Sequence, residues 1–324
     1  MAAEQISQRF ATCLILVLAT AVAWSAPQRA SVDQLLLRVF ERPPKLSYTV
    51  VQDRSFGLQT GNKRRYKQFV DSNGTTISTL IDLKAGTVTV DDGKTTTDYD
   101  LARKTVFTNQ SFRKNDYSGK ERAGIAKKNY TFKVFRGEQI SGRRTEKLLA
   151  TPKNSALAVR TYWFDLDTKI MLRQVQELPS GESYTTLDTI EVNFTSPRPL
   201  VPAVTPSWTR ISQSPSVFTK SAKTAAANAG FSFSVPSDLP AGFIVQGYVT
   251  QTFGADKLMS VVLNDGFYRP ILHVHRRDWG VSTEGGSLGG GKQFEVGKFN
   301  AELVSDLPPT VVTAIIRAFT KANS

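Results

Sequence analysis

Two histidines are all the imidazole in this chain of 324 residues. His273 and His275 stand two apart, a spacing that puts both on one face of a strand, where they could begin a metal site. No third ligand lies near them, and a Ser-His-Asp or Cys-His nucleophile has no other base to draw on. They read as half-exposed strand residues, so no metal, no cofactor and no catalytic residue is expected. Asp165 and Asp167 fall in Asp-Leu-Asp-Thr-Lys, which lacks the ligand count and central glycine of an EF-hand calcium loop. That segment, like Asp91-Asp92-Gly93, reads as a turn between strands. Glu284–Gly291 is glycine-rich but has no Gly-Lys-Ser/Thr ending with which to cradle phosphate. The single cysteine, Cys13, sits near the N-terminus, so thiol and disulfide chemistry are excluded beyond it. Four Asn-x-Ser/Thr sequons, at Asn73, Asn109, Asn129 and Asn193, carry meaning only on a eukaryotic secretory route.

What survives is binding. Aromatic residues recur along the alternating segments: Tyr48, Phe69, Tyr99, Phe107, Phe132, Phe135, Tyr162 and Phe164. On a curved sheet covered by few helices they are expected to line a cavity, or else to pack as ordinary core against the helix near the N-terminus. An acyl chain in such a cavity would gain about 0.8 kcal/mol per buried methylene. Net charge is +13, and between Arg103 and Lys147 thirteen Lys/Arg face four acids. A surplus of that kind attracts anionic surfaces. Arg113, Lys114, Lys127 and Lys128 are the candidate contacts to the anionic part of a ligand or partner.

The elements that must position these residues can be read in order. Arg9 precedes an apolar run, Phe10 to Trp24, too short for the roughly 20 residues of a membrane span. It ends in Ala23-Trp-Ser25, which reads as a signal peptide over residues 1–25 cleaved after Ser25. Nucleic acid is therefore not the expected partner. Ser31-Val-Asp-Gln34 is a capping box opening a helix that Pro43-Pro44 ends. From Lys45 to Phe194 apolar and polar residues alternate, punctuated by Asn73-Gly74 and Asp92-Gly93, as in strictly sequential antiparallel strands. Ser196–Pro206 holds four prolines in 11 residues and reads as a linker, placed at 196–215. The remainder, 216–324, reads as a smaller α+β domain: helix Thr219–Asn228 with Gly230 beyond its end, strands Phe231–Val235 and Phe243–Thr250, a hairpin turning at Asn264-Asp-Gly266, a hairpin Phe294–Val304, and a helix opened by proline over Pro308–Lys321.

Three motifs in this last region, Ala229–Phe243, Val261-Val-Leu-Asn-Asp-Gly-Phe267 and Leu303-Val-Ser-Asp-Leu-Pro-Pro-Thr-Val-Val312, resemble the C-terminal domain of the MucB/RseB family. Asp91–Val106 and Arg160–Arg173 resemble pieces of the LolA/LolB-like lipoprotein-binding fold that the family's N-terminal domain shares. The resemblance implies an α+β protein: a large curved antiparallel half-barrel with a covering helix over 26–195, then a small α+β domain. It also implies a periplasmic, non-catalytic regulator that binds the exported segment of a membrane anti-sigma factor and responds to an acylated lipoprotein or lipopolysaccharide-like ligand. Homo-oligomerisation is left open. The sequence departs from the family pattern around His273-Val-His-Arg-Arg-Asp-Trp279 and in the basic Arg103–Lys147 stretch. A lipid or lipoprotein carrier is the alternative, although a simple carrier needs only the cavity and not a second domain.

Overall fold

The computed structural model describes residues 29–41, 46–55, 63–80, 86–115, 117–212, 216–253, 256–277 and 291–324. The expected signal peptide, the Pro43-Pro44 stop and nearly all of the Glu284–Gly291 loop lie outside these. Ser31–Ser324 form one compact unit; of Met1–Ala30 only the last two residues are described.

Helix α1 (Val32–Phe40) starts as its sequence dictates. The Ser31 hydroxyl accepts from the Gln34 amide at 3.2 Å, and the Gln34 side chain accepts from the Ser31 amide at 3.0 Å. Both bonds satisfy donors that a helix N-terminus leaves open. Leu35 and Leu36 form its buried stripe.

The strands run β1 (Tyr48–Ser55), β2 (Lys63–Val70), β3 (Thr76–Leu80), β4 (Thr87–Asp91), β5 (Thr95–Asp100) and β6 (Thr105–Gln110). Helix α2 (Gly119–Asn129) follows, then β7 (Tyr130–Arg136), β8 (Thr145–Pro152), β9 (Val159–Asp165), β10 (Met171–Glu177), β11 (Ser183–Asn193) and β12 (Thr209–Ser212). All twelve form one open, curved sheet in the order β12-β6-β5-β4-β3-β2-β1-β11-β10-β9-β8-β7. The α+β class and the half-barrel are as expected, but the strands are not one continuous meander. They form two, β1–β6 and β7–β11, joined where β1 pairs antiparallel with β11. The chain therefore crosses from one edge to the other between β6 and β7, and α2 is that crossing. The alternating pattern does not reveal α2, because the helix is polar over most of its surface, with only Gly119 and Ala126 buried. Its capping box, Ser118 with Glu121, was the readable signal. Within the residues read as linker, Thr209–Ser212 adds β12 in parallel to β6.

Cross-strand register sorts side chains onto two faces, because partners in a pleated pair point the same way. Tyr48, Val50, Gln52 and Arg54 share the face that α1 covers with Leu187, Gln174 and Tyr162. Phe69, pairing with Ile77, and Tyr99, pairing with Val88, lie on the other.

The second sheet has the order β13-β14-β15-β16-β18-β17. Its strands are β13 (Val217–Thr219), β14 (Ile244–Phe253), β15 (Asp256–Asn264), β16 (Ile271–Arg276), β17 (Lys292–Val296) and β18 (Phe299–Val304). Helices α3 (Ala222–Ala229) and α4 (Pro309–Ala322) accompany it. Gly230 caps α3 in the left-handed region, at φ 73°. Phe231–Val235, expected as a strand, is irregular. Its backbone at Ser234 is satisfied by the Asn323 side chain, which accepts from the Ser234 amide at 2.9 Å and donates to its carbonyl at 2.8 Å. Phe231 and Phe233 pack instead on Phe299 and Phe319, with centroids 5.1 and 5.8 Å apart.

Candidate functional site: the aromatic face and its hairpin

The β15–β16 connection, Asn264–Pro270, looks in sequence like a solvent-facing turn. In the structure it is buried against the helix-covered face of the first sheet. Asp265 is 0% exposed, and its carboxylate accepts from the amides of Phe267 and Tyr268 at 2.8 and 2.7 Å, which folds the turn. Its other oxygen accepts from the Tyr130 hydroxyl at 2.7 Å. The Asn129 side chain, at the end of α2, donates to the carbonyls of Asp265 and Gly242 at 2.9 and 3.0 Å. Gly266 has φ 107°, and a Cβ there would lie 2.5 Å from the backbone of Ala126. Only glycine fits, on both conformational and steric grounds.

Phe267 is the centre of the contact. Its ring stacks on Tyr162 at 5.7 Å, meets Tyr130 edge-on at 4.7 Å, and lies 5.6 and 6.2 Å from Phe40 and Phe132. Aromatic pairs in these arrangements contribute about 0.5–1.5 kcal/mol each beyond burial. The buried Arg160 guanidinium lies 3.9 Å over Tyr268 and 5.6 Å from the Phe267 ring. Burial holds the Asp265 carboxyl above the usual carboxylate range and pushes the Tyr162 hydroxyl up to about 12. Burial raises the Tyr130 and Tyr268 hydroxyls too, and both donate, to Asp265 at 2.7 Å and to Gln176 at 3.4 Å, whereas the Tyr162 hydroxyl accepts from Arg160.

The structure brings some of the expected aromatic residues together. Phe132 and Tyr162 touch Phe267, Phe164 is fully buried 6.4 Å from Tyr162, and Tyr48 lines an open cavity described below. Phe107 shares their face by register but lies out near the sheet edge beside Ile211. Phe69 and Tyr99 pack on the opposite face with Ile77 and Val88, and Tyr99 meets Trp208 edge-on at 6.4 Å. Phe135 is also on that face, exposed, with the Lys147 ammonium 5.9 Å from its ring.

The four basic candidates divide as well. Arg113 donates to the carbonyls of Gly74 and Asp91 at 3.0 and 2.9 Å and pairs with the Asp91 carboxylate, tying two hairpin turns together. Lys127 pairs with Asp33 at 2.7 Å, joining α2 to α1. Lys114 and Lys128 are exposed. Asp265, Phe267, Tyr268, Arg160 and Asn129 were not among the site residues expected from sequence, although Asp265 and Phe267 fall in the Val261–Phe267 motif, Arg160 opens the Arg160–Arg173 piece and Asn129 is a sequon. The available signal was an aromatic pair, Phe267-Tyr268, placed directly after a turn that should have been polar.

Beside the hairpin, under the C-terminal end of α1, a cavity of about 190 Å³ opens onto β1, β2, β10 and β11. Another of about 230 Å³ lies between Gln110–Ser111 and the face of β14–β16. It includes His273, whose Nδ1 is 2.8 Å from the Ser260 hydroxyl and whose pKa burial depresses. His275 bonds instead to the Arg276 carbonyl. Among the described residues no group of three or more His, Cys, Asp or Glu could hold a metal ion, and no helix is long and apolar enough to cross a membrane.

No protein-family profile matches the sequence, and no curated protein matches it. Solved structures do match. MucB in complex with MucA(peri) superposes with a TM-score of 0.57 at 14% identity, over 88% of this chain and 97% of that one. MucB without a stated partner gives 0.56 at 16% identity, over 90% and 98%. The Pseudomonas aeruginosa MucA/MucB complex gives 0.59 at 15%, over 88% and 97%. A curved twelve-stranded sheet, a six-stranded second sheet and the hairpin seated between them thus make up a chain with the MucB fold, matched over nearly the whole length of those proteins.

Proposed function

We propose that this chain belongs to the MucB/RseB family and is a non-catalytic, exported regulator that binds the periplasmic segment of a membrane anti-sigma factor. The observation that carries the reading is a match to MucB over 88% of the chain, a span that takes in both sheets, including MucB in complex with MucA. A carrier needs only the first sheet. The surplus of positive charge over Arg103–Lys147 suits an acidic partner segment and would speed encounter at low salt. Export to the periplasm, with cleavage after Ser25, is part of the proposal.

Lipid sensing is the finer part. Phe267 occupies the space on the aromatic face where an acyl chain would pack against Phe132 and Tyr162. An acylated lipoprotein or lipopolysaccharide-like ligand reaching those residues therefore competes with the hairpin. Any ligand that unseats the hairpin loosens the second domain, and linkage then couples its binding to the partner's by one reciprocal factor. The test is titration of the purified chain with the periplasmic segment of a membrane anti-sigma factor from the same genome, with and without an acylated peptide. Salt-sensitive binding that the acylated peptide weakens, while its unacylated form does not, is the expected result. Absence of segment binding would overturn the regulatory reading. Binding indifferent to acylation would overturn the lipid-sensing part.

A further inference from the structure

The large sheet ends in an open strand. β7 is seven residues long and pairs with β8 on one side only, whereas the other sheet edges are shorter: four residues in β12, three in β13 and five in β17. Its ladder to β8 runs without a bulge from Tyr130, opposite Pro152, to Arg136, opposite Glu146. The Gly137 amide donates to the Thr145 carbonyl at 3.0 Å, and the Lys153 amide to the Asn129 carbonyl at 2.8 Å, which sets the phase of that ladder. Thr131, Lys133 and Phe135 therefore bond to β8, while Phe132, Val134 and Arg136 turn their N–H and C=O groups outward. Among the described residues nothing pairs with these outward groups. Strand edges are commonly blunted by bulges, prolines or a covering loop. β7 carries charge instead. Lys133 and Arg136 are exposed on the strand, Lys147 lies opposite Phe135, and Lys128 and Lys153 stand at its N-terminal end, where the Lys153 ammonium donates to the Lys128 carbonyl at 2.7 Å. None of the five forms an ion pair among the described residues. The nearby acids are already engaged: Glu146 by Lys169 at 2.7 Å, and Glu138 by Trp163 at 2.7 Å and Arg173 at 3.4 Å. Phe135 is 39% exposed beside these cations.

The charge selects among occupants. A second copy of β7 laid on this edge would bring the same cations against themselves, and like charges across a strand pair are destabilising. An acidic strand meets the opposite balance. We infer that β7 is a docking edge for an extended acidic polypeptide segment, which joins the large sheet as one further strand. Main-chain bonds to Phe132, Val134 and Arg136 supply affinity, and the surrounding cations supply selectivity and speed of encounter. Alternate side chains of the segment lie beside Lys133 and Phe135 on one face of the sheet and beside Phe132 and Val134 on the other. The inference deepens the function proposed above by naming where the partner's segment docks, and rests on that reading for the partner's identity alone.

The experiment measures fluorescence anisotropy of labelled peptides of about ten residues, alternating Val-Glu or alternating Val-Lys, on the full chain at low salt. The acidic peptide is expected to bind at least about tenfold more tightly than the basic one. N-methylation of every second residue removes the N–H donors along one edge of the peptide. Methylating one set, the valines or the glutamates, should cost about tenfold or more, and methylating the other set should cost little, because only one edge faces β7. Val134→Pro deletes an N–H that β8 does not use, as edge strands tolerate, and should weaken the acidic peptide about tenfold. Amide exchange at Phe132, Val134 and Arg136 should slow when the acidic peptide binds. The methylated peptides leave the protein untouched and keep the test decisive if Val134→Pro does not fold. Equal binding of the acidic and basic peptides, equal loss from either methylation, or unchanged exchange at the three amides would overturn the inference. An anti-sigma segment bound equally by the parent chain and folded Val134→Pro would also overturn it, and leave the regulatory reading standing. An acidic peptide held on β7 by a chain that ignores the anti-sigma segment would sink the regulatory reading and leave the docking edge.

Discussion

At the scale of single residues, one ring and one carboxylate stand at the centre of the seated hairpin. Phe267 is buried among four other aromatic rings, so Phe267→Ala is expected to destabilise the chain by about 3 kcal/mol. Chemical denaturation checks this; a change below about 1 kcal/mol would mean the ring is not seated. Asp265 adds a pH dependence. Its carboxyl is raised in the folded state by burial, so its contribution is complete below the ordinary carboxylate pKa, about 4, and is lost as pH rises through the folded value. Hairpin seating is therefore favoured in acid, and Asp265→Asn should remove that trend from the melting temperature between pH 4 and 7. Asp53 has the opposite sign. Its hydrogen bond from Arg65, and then its contact with Lys63, hold its carboxyl below the usual range. Its contribution is present above the ordinary pKa and disappears as pH falls through the folded value. In Asp53→Asn the acid limb of the stability profile should be flatter than in the parent chain.

At the scale of elements, α2 is the part that the rest of the fold leans on. It carries the chain from one edge of the sheet to the other, and its last turn presents Ala126 and Asn129 to the hairpin. With so little apolar surface of its own, it relies on its N-cap, on the Lys127–Asp33 pair and on the Arg122 guanidinium 4.5 Å over Phe40. Loss of an N-cap side chain costs about 1 kcal/mol. Ser118→Ala should therefore lower stability by that amount and raise amide exchange along Gly119–Asn129. Ser31→Ala should leave α2 exchange unchanged. Equal exchange in the two variants would show that the α2 cap does not matter.

For the whole molecule, the two sheets are joined covalently through a proline-rich stretch and packed together chiefly through a hairpin buried on the aromatic face, with further contacts such as Asn129 to Gly242. Limited proteolysis is expected to cut within residues 196–206, yet the two fragments should co-elute under native conditions. In Gly266→Ala, where a Cβ would press on the Ala126 backbone, they should separate. Separation of the unmutated fragments would show that the hairpin does not hold the halves together.

Alternation, turn dipeptides, the Ser31 capping box and Gly230 are local features, and each shows its consequence within a few residues. For that reason the strands, α1, α3 and the α+β class could be read directly from the chain. So could the prevalence of aromatic residues. Which face an aromatic residue occupies is not local, because it depends on register and bulges across strands far apart in sequence. Tyr48 and Phe69 look equivalent as letters, yet pleating puts them on opposite sides of one sheet. The long connection that makes β1 the partner of β11 and the burial of Phe267 against a sheet encoded more than a hundred residues earlier follow from long-range closure alone. Such contacts form only when the loop entropy between them has been spent, and no short window of sequence records that outcome.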